Sequence, residues 1–164
     1  MSLHPTARTD WARLRVLTFL DGLTLAGSPA VRDAEESGRN AEPTPWVRAT
    51  FDELDPIWEG RASETQTAHR LRLLVTLDLF WPEQATDLGQ IDQVASELRA
   101  ALQYTSLPFL DYTDPAAPVA VGTSAIYFQS AVRIRRLAPV SGMRRRQVQA
   151  VGEWSARFND RNAA

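Results

Sequence analysis

Asp52, Glu53, Asp55 and Glu59 put four carboxylates in one short stretch, a density that suits calcium coordination or paired general acid and base groups. No EF-hand register runs through them and neither histidine is close in sequence, so a solvated acidic loop is the simpler reading. Asp33, Glu35 and Glu36 lie in a polar connector and read the same way. The serines and threonines form no nucleophile elbow and no Ser–His–acid set. Gly122, Thr123 and Ser124 lack the further glycines and the lysine of a phosphate loop, and fit a turn before a strand. His69 precedes a long apolar alternation and reads as an ordinary strand-edge residue, not a ligand. Trp11, Trp46, Trp58, Trp81 and Trp154 make no compact motif, but four of them punctuate expected elements as core or interface anchors would.

The sharper signal is arginine. Arg133, Arg135 and Arg136 enter the loop at 138–143, and Arg144, Arg145 and Arg146 leave it. Six guanidinium groups at one hairpin can bind phosphate or an acidic patch on a protein partner. The competing reading is a solvated charge set that protects strand edges from unwanted pairing. A formal net charge of -2 and the lack of interleaved exposed aromatics argue against a dedicated DNA binder. These six residues are the candidate protein-docking patch.

Composition narrows the chemistry further. The chain of 164 residues has no cysteine, which excludes disulfides, thiolate catalysis and Cys-ligated metal. Every basic side chain apart from His4 and His69 is arginine, so Schiff-base and P-loop lysine chemistry are excluded too. Two histidines do not suggest a histidine-rich metal site. The expectation is a chain that is not an enzyme and carries no catalytic residue, cofactor or metal. Pro5 and three arginines interrupt the first fifteen residues, unlike a secretory signal, and no apolar run approaches the roughly 20 residues of a membrane helix. A soluble protein made in a cytoplasm is expected.

The elements that would position these groups follow from periodicity. Leu71, Leu73, Val75, Leu77, Leu79 and Trp81 alternate with Arg70, Arg72, Thr76 and Asp78, which predicts a strand over 70–81 with one face in the core, about 40 Å long. Pro82 stops it. Asp87 with Gln90 makes a capping-box-like start for a helix ending near Tyr104, with Leu88, Ile91, Val94, Ala95, Leu98, Ala101 and Leu102 as its apolar stripe. An earlier helix, capped by Thr9 or Asp10 and ended by Gly22 or Gly27, would bury Trp11, Leu14, Leu17, Leu20 and Leu23. Residues 28–45 read as an exposed loop. A short strand at 46–51, a turn or loop at 52–60, a short strand at 108–112, one strand across 125–137 and a last one over 145–158 complete the order α, β, β, α, β, β, β. This predicts a single α+β domain over 1–164: a mixed, mainly antiparallel β-sheet of four to five strands with two amphipathic helices packed on one face.

The stretches PWVRATF at 45–51, RLRLLVTLDLFWPE at 70–83, IDQVASELRAAL at 91–102 and WSARF at 154–158, following an N-terminal amphipathic helix and a polar loop, make the chain similar to the tail terminator proteins of long-tailed bacteriophages. The similarity lies in element order and residue texture over nearly the whole chain. It implies a structural virion protein at the neck end of the tail, assembled in the host cytoplasm. Such a protein forms a homohexameric ring that caps the tail tube and ends its polymerisation. The implied partners are further copies of itself, the major tail tube protein, a head-completion or connector protein, and DNA passing through the ring without sequence-specific binding; no membrane is implied. Another neck or tail-completion protein of the same particle is an alternative, and a small ligand-binding or enzymatic α+β domain ranks below both.

Overall fold

The computed structural model describes residues 3–35, 44–83 and 89–159. A 3-10 turn at Pro5–Ala7 leads into α1 (Thr9–Asp21). There follow β1 (Ala30–Asp33), β2 (Trp46–Ser63), β3 (Gln66–Pro82), α2 (Gln90–Leu102), β4 (Ser106–Asp111), β5 (Val119–Tyr127), β6 (Arg133–Val140) and β7 (Met143–Asn159). One sheet of seven strands runs in the order β1-β2-β3-β7-β5-β4, with β6 also paired to β7. Only β1 against β2 is parallel. With 55% of the chain in strands and 20% in helices, the protein is mostly β, and the expected α+β fold with four to five strands is corrected accordingly.

Three local causes account for the two extra strands and the greater length of β2. Within the expected loop at 28–45, Ala30–Asp33 finds a partner in the start of β2, pairing Val31 with Val47 and Asp33 with Ala49; residues 36–43 of that stretch lie outside the described residues. The expected turn at 52–60 is strand, because β2 stays paired with β3 as far as Ser63, while its outer side has no partner strand among the described residues. Pro56 therefore costs no ladder bond, and register shifts between Leu54 and Ile57 and between Trp58 and Gly60 absorb the irregularity. The single strand expected over 125–137 is two. β5 runs beside β4 and meets β7 only at Glu153, the chain breaks away at 128–132, and β6 rejoins β7 lower down, from Gln149 to Met143. Gly152 sits at this fork, where a Cβ would come within 2.9 Å of Ile126 Cγ2 and 3.2 Å of the Phe128 ring.

β2, β3 and β7 form a ribbon of 17 to 18 residues per strand, ~55 Å at strand rise. Its inner face carries Leu73, Val75, Leu77, Leu79 and Trp81 with Val148, Ala150, Trp154 and Ala156, all in one core with both helices. α2 buries Ile91, Val94, Ala95, Leu98 and Leu102. Its start differs from expectation: Gly89 is the N-cap, Gln90 accepts a 3.0 Å hydrogen bond from Trp81 Nε1, and Asp87 and Leu88 lie outside the described residues. α1 touches β1 and β4, the two ends of the strand order, so the sheet curls until its end strands flank one helix. That geometry rotates α1 away from its expected stripe. Ala12, Val16 and Leu20 are buried, whereas Trp11 and Leu17 are half-buried and Leu14 is exposed. Neither Thr9 nor Asp10 caps it; the N-cap is Arg8, whose guanidinium pairs with Asp10 at 2.6 Å, and Gly22 ends the helix.

Candidate protein-docking surface

The six arginines flank a tight turn. Ser141 and Gly142 both take positive φ, 50° and 72°, the conformation that joins strands with the right twist in a two-residue hairpin and that glycine adopts without strain. The resulting register pairs Arg133 with Gln149, Arg135 with Gln147 and Arg136 with Arg146. Because alternate residues point to opposite faces, the set divides in two. Arg136, Arg144 and Arg146 share the face of α2, while Arg133, Arg135 and Arg145 share the outer face.

Each group has its own anchor. Arg146, only 13% exposed, donates to Asp92 in the first turn of α2 at 2.7 and 3.4 Å. That hydrogen bond first, and the charges of Arg146, Arg136 and Arg144 after it, hold the Asp92 carboxyl below its ordinary pKa despite partial burial. On the outer face Arg145 reaches Asp78 at 3.6 Å and lies over the Phe80 ring at 5.2 Å. Arg145 and Arg146 are thus tied into the fold. Arg133, Arg135 and Arg136 stand exposed on β6, whose outer side pairs with no described strand. The candidate patch is therefore an exposed strand edge backed by two structural arginines.

The sequence reading did not foresee the network centred on Asp78. This carboxylate is 5% exposed on the outer face of β3, and accepts from Arg48 Nη2 at 3.2 Å and from Gln147 Nε2 at 3.2 Å. Arg48 also lies over Phe80, which stacks on Trp46 with centroids 4.6 Å apart and planes 14° from parallel. Arg48, Asp78 and Gln147 come from three neighbouring strands in one register row. The only signal in the sequence is an aspartate inside an apolar alternation; its partners depend on cross-strand register. Arg48 Nε and Arg145 Nε are buried without a hydrogen-bond partner among the described residues.

The other sequence candidates separate. Asp52, Glu53, Asp55 and Glu59 lie along β2, not in a loop, and Glu59 is engaged by Arg70 at 3.1 Å and by Ser155 at 2.7 Å. The Ser155 hydrogen bond first, then Arg70, lowers the Glu59 pKa. Among the described residues no group of three or more His, Asp or Glu could hold a metal ion. Asp33 and Glu35 pair with Arg13 of α1. His69 meets Phe158 edge-on at 5.3 Å. His4 Nδ1 lies 2.7 Å from Thr6 Oγ1, and burial, aided by Arg157, lowers its pKa. Gly122, Thr123 and Ser124 lie inside β5 and do not form a turn before it. A cleft of about 230 Å³ beside Glu59, Arg70, Tyr127 and Glu153 holds acid and base already paired with each other. No helix among the described residues is long and apolar enough to cross a membrane.

No protein-family model and no curated protein matches the chain. Among solved structures it is similar to a protein of unknown function, 14% identical, with a TM-score of 0.52 over 92% of this chain and 96% of the other. At that identity the likeness is one of fold alone.

Proposed function

We propose that the protein is a phage tail terminator: a structural, non-enzymatic virion component that assembles as a hexameric ring at the neck end of the tail tube, ends tube polymerisation and offers a surface for the head-completion or connector protein. DNA passes through the ring without sequence-specific contact, and no membrane is involved. The observation that supports this reading best is the ribbon of β2, β3 and β7. It runs beyond the helix-covered core and leaves long stretches of strand edge without a partner strand among the described residues, a costly feature in a monomer and a natural one in a closed ring of copies. Resemblance in element order and residue texture supplies the rest.

The test is direct. Purified protein is added to polymerising tail tube subunits of the same virus, and tube ends and lengths are followed by electron microscopy. The reading predicts a six-membered ring on one end of each tube and arrested growth. Tubes that elongate as they do without the protein, with bare ends, would overturn it.

A further inference from the structure

Among the stretches of strand edge that lack a partner strand among the described residues are β2 beyond residue 50 and the outer side of β6. Their charges are opposite. Between residues 52 and 64 the β2 edge holds five acids, Asp52, Glu53, Asp55, Glu59 and Glu64, against Arg61 alone. Asp52, Glu53 and Asp55 are exposed, and among the described residues their carboxylates form no ion pair. From residue 133 to 146, β6, its turn and the start of β7 hold six arginines and no acid, three of them on β6. Arg133 and Arg135 are exposed and likewise have no acidic partner among the described residues.

The two surfaces cannot satisfy each other within one chain. β6 lies level with residues 76–82 of β3, through its pairing with residues 143–149 of β7, whereas the acidic edge lies level with residues 66–74 of β3. They occupy opposite sides and opposite ends of the ribbon, separated laterally by three strand spacings, about 14 Å, and further along the strands. Complementary patches at opposite corners of a molecule describe a heterologous contact, in which one surface of a copy meets the other surface of the next. Trp58 and Ile57, 65% and 42% exposed, stand among the carboxylates. An exposed tryptophan on an acidic strand edge suits a surface of guanidinium groups, some stacking on its face while others engage carboxylates along the same edge.

We propose that the acidic edge of β2, together with Trp58 on the same stretch, docks head to tail on the arginine edge of β6 of a second copy. Pro56 and the register shifts in β2 deny a continuous backbone ladder. Side chains therefore carry the contact, and salt weakens it. The inference deepens the ring reading by naming the surfaces that meet, and it rests on that reading for the number of copies.

Two charge-reversed proteins test it: R133E/R135E/R136E, and D52R/E53R/D55R. D52N/E53Q/D55N serves as a milder version should the second fold poorly, with circular dichroism and thermal melting as the check on folding. Sedimentation velocity and native mass spectrometry should show the unaltered protein associating more weakly at 300 than at 50 mM salt, and each variant alone weakened at least tenfold. An equimolar mixture of the two reversed variants offers one native and one charge-swapped pair of surfaces, so it should associate where neither variant does alone. A chain reversed at both edges should associate again with itself. Unaltered protein that stays monomeric, variants that associate normally, or a mixture that stays monomeric would each overturn the inference. Rings that persist in both variants would remove this interface and leave the terminator reading standing; intact rings that fail to stop tube growth would do the reverse.

Discussion

The two ends of the ribbon are built from the same strands and the same alternation, yet they end in different states. From residue 73 to 81 every inward side chain of β3 is 0–3% exposed, whereas His69 and Leu71 at the other end are half-buried and Trp58, paired across from His69, is 65% exposed. What changes is the covering layer, not the strand. Period-two alternation reports that a segment is extended with one apolar side; it does not report whether anything lies over that side.

The largest expected effect lies in the covered half. Leu98, fully buried on α2, replaced by Ala should cost about 2–5 kcal/mol by urea denaturation, while the same truncation of the neighbouring exposed Arg99 should stay within about 0.5 kcal/mol. Equal losses for the two would mean that the helix face is wrong. Next comes the outer face. Asp78→Ala strips Arg48, Arg145 and Gln147 of a shared acceptor and should cost about 1–3 kcal/mol, read as a lowered thermal midpoint. A neutral result would make that network dispensable.

A smaller effect should appear in acid. Arg146 holds the Asp92 pKa below its unfolded value, so this pair contributes stability that is complete above about pH 4 and is lost as pH falls toward the lowered folded value. Arg146→Gln should flatten that part of the stability–pH profile and leave the profile near pH 7 parallel to that of the unaltered chain. An unchanged acid slope would show the pair to be idle. The smallest effect belongs to the uncovered end: Trp58→Ala should alter monomer stability by no more than about 0.5 kcal/mol, since the ring is already in water. A loss comparable to that of Leu98 would erase the contrast between the two ends.

Legibility in the sequence follows the same division. The strand over 70–81, the stripe of α2 and the last strand could be read because each keeps one period and buries one face. β1 could not be read, for four residues of mixed character become a strand only through the edge offered by β2. Likewise, the split of 125–137 depends on where β7 exchanges one neighbour for another at Gly152, a tertiary event with no period of its own. α1 was misassigned in its face because curling of the sheet, not the amphipathicity of the helix, decides which side is inward. Clustering of the six arginines could be seen in the sequence. Their division between two faces, and the tethering of Arg145 and Arg146 to Asp78 and Asp92, needed the register.

β7 is the last strand of the described chain, and it lies between β3 on one side and β5 and β6 on the other. It also receives the 3-10 turn at Pro5–Ala7: Trp154 Nε1 donates to the Thr6 carbonyl at 2.8 Å and the Arg157 amide to Thr6 Oγ1 at 3.0 Å. During synthesis, then, six strands emerge from the ribosome before the one that joins them. Until residues 143–159 appear, β3 offers its apolar face and an open edge to whatever is nearby. The sheet cannot close until residues 143–159 have emerged, and synthesis that stopped short of them would release a chain lacking the middle of its sheet.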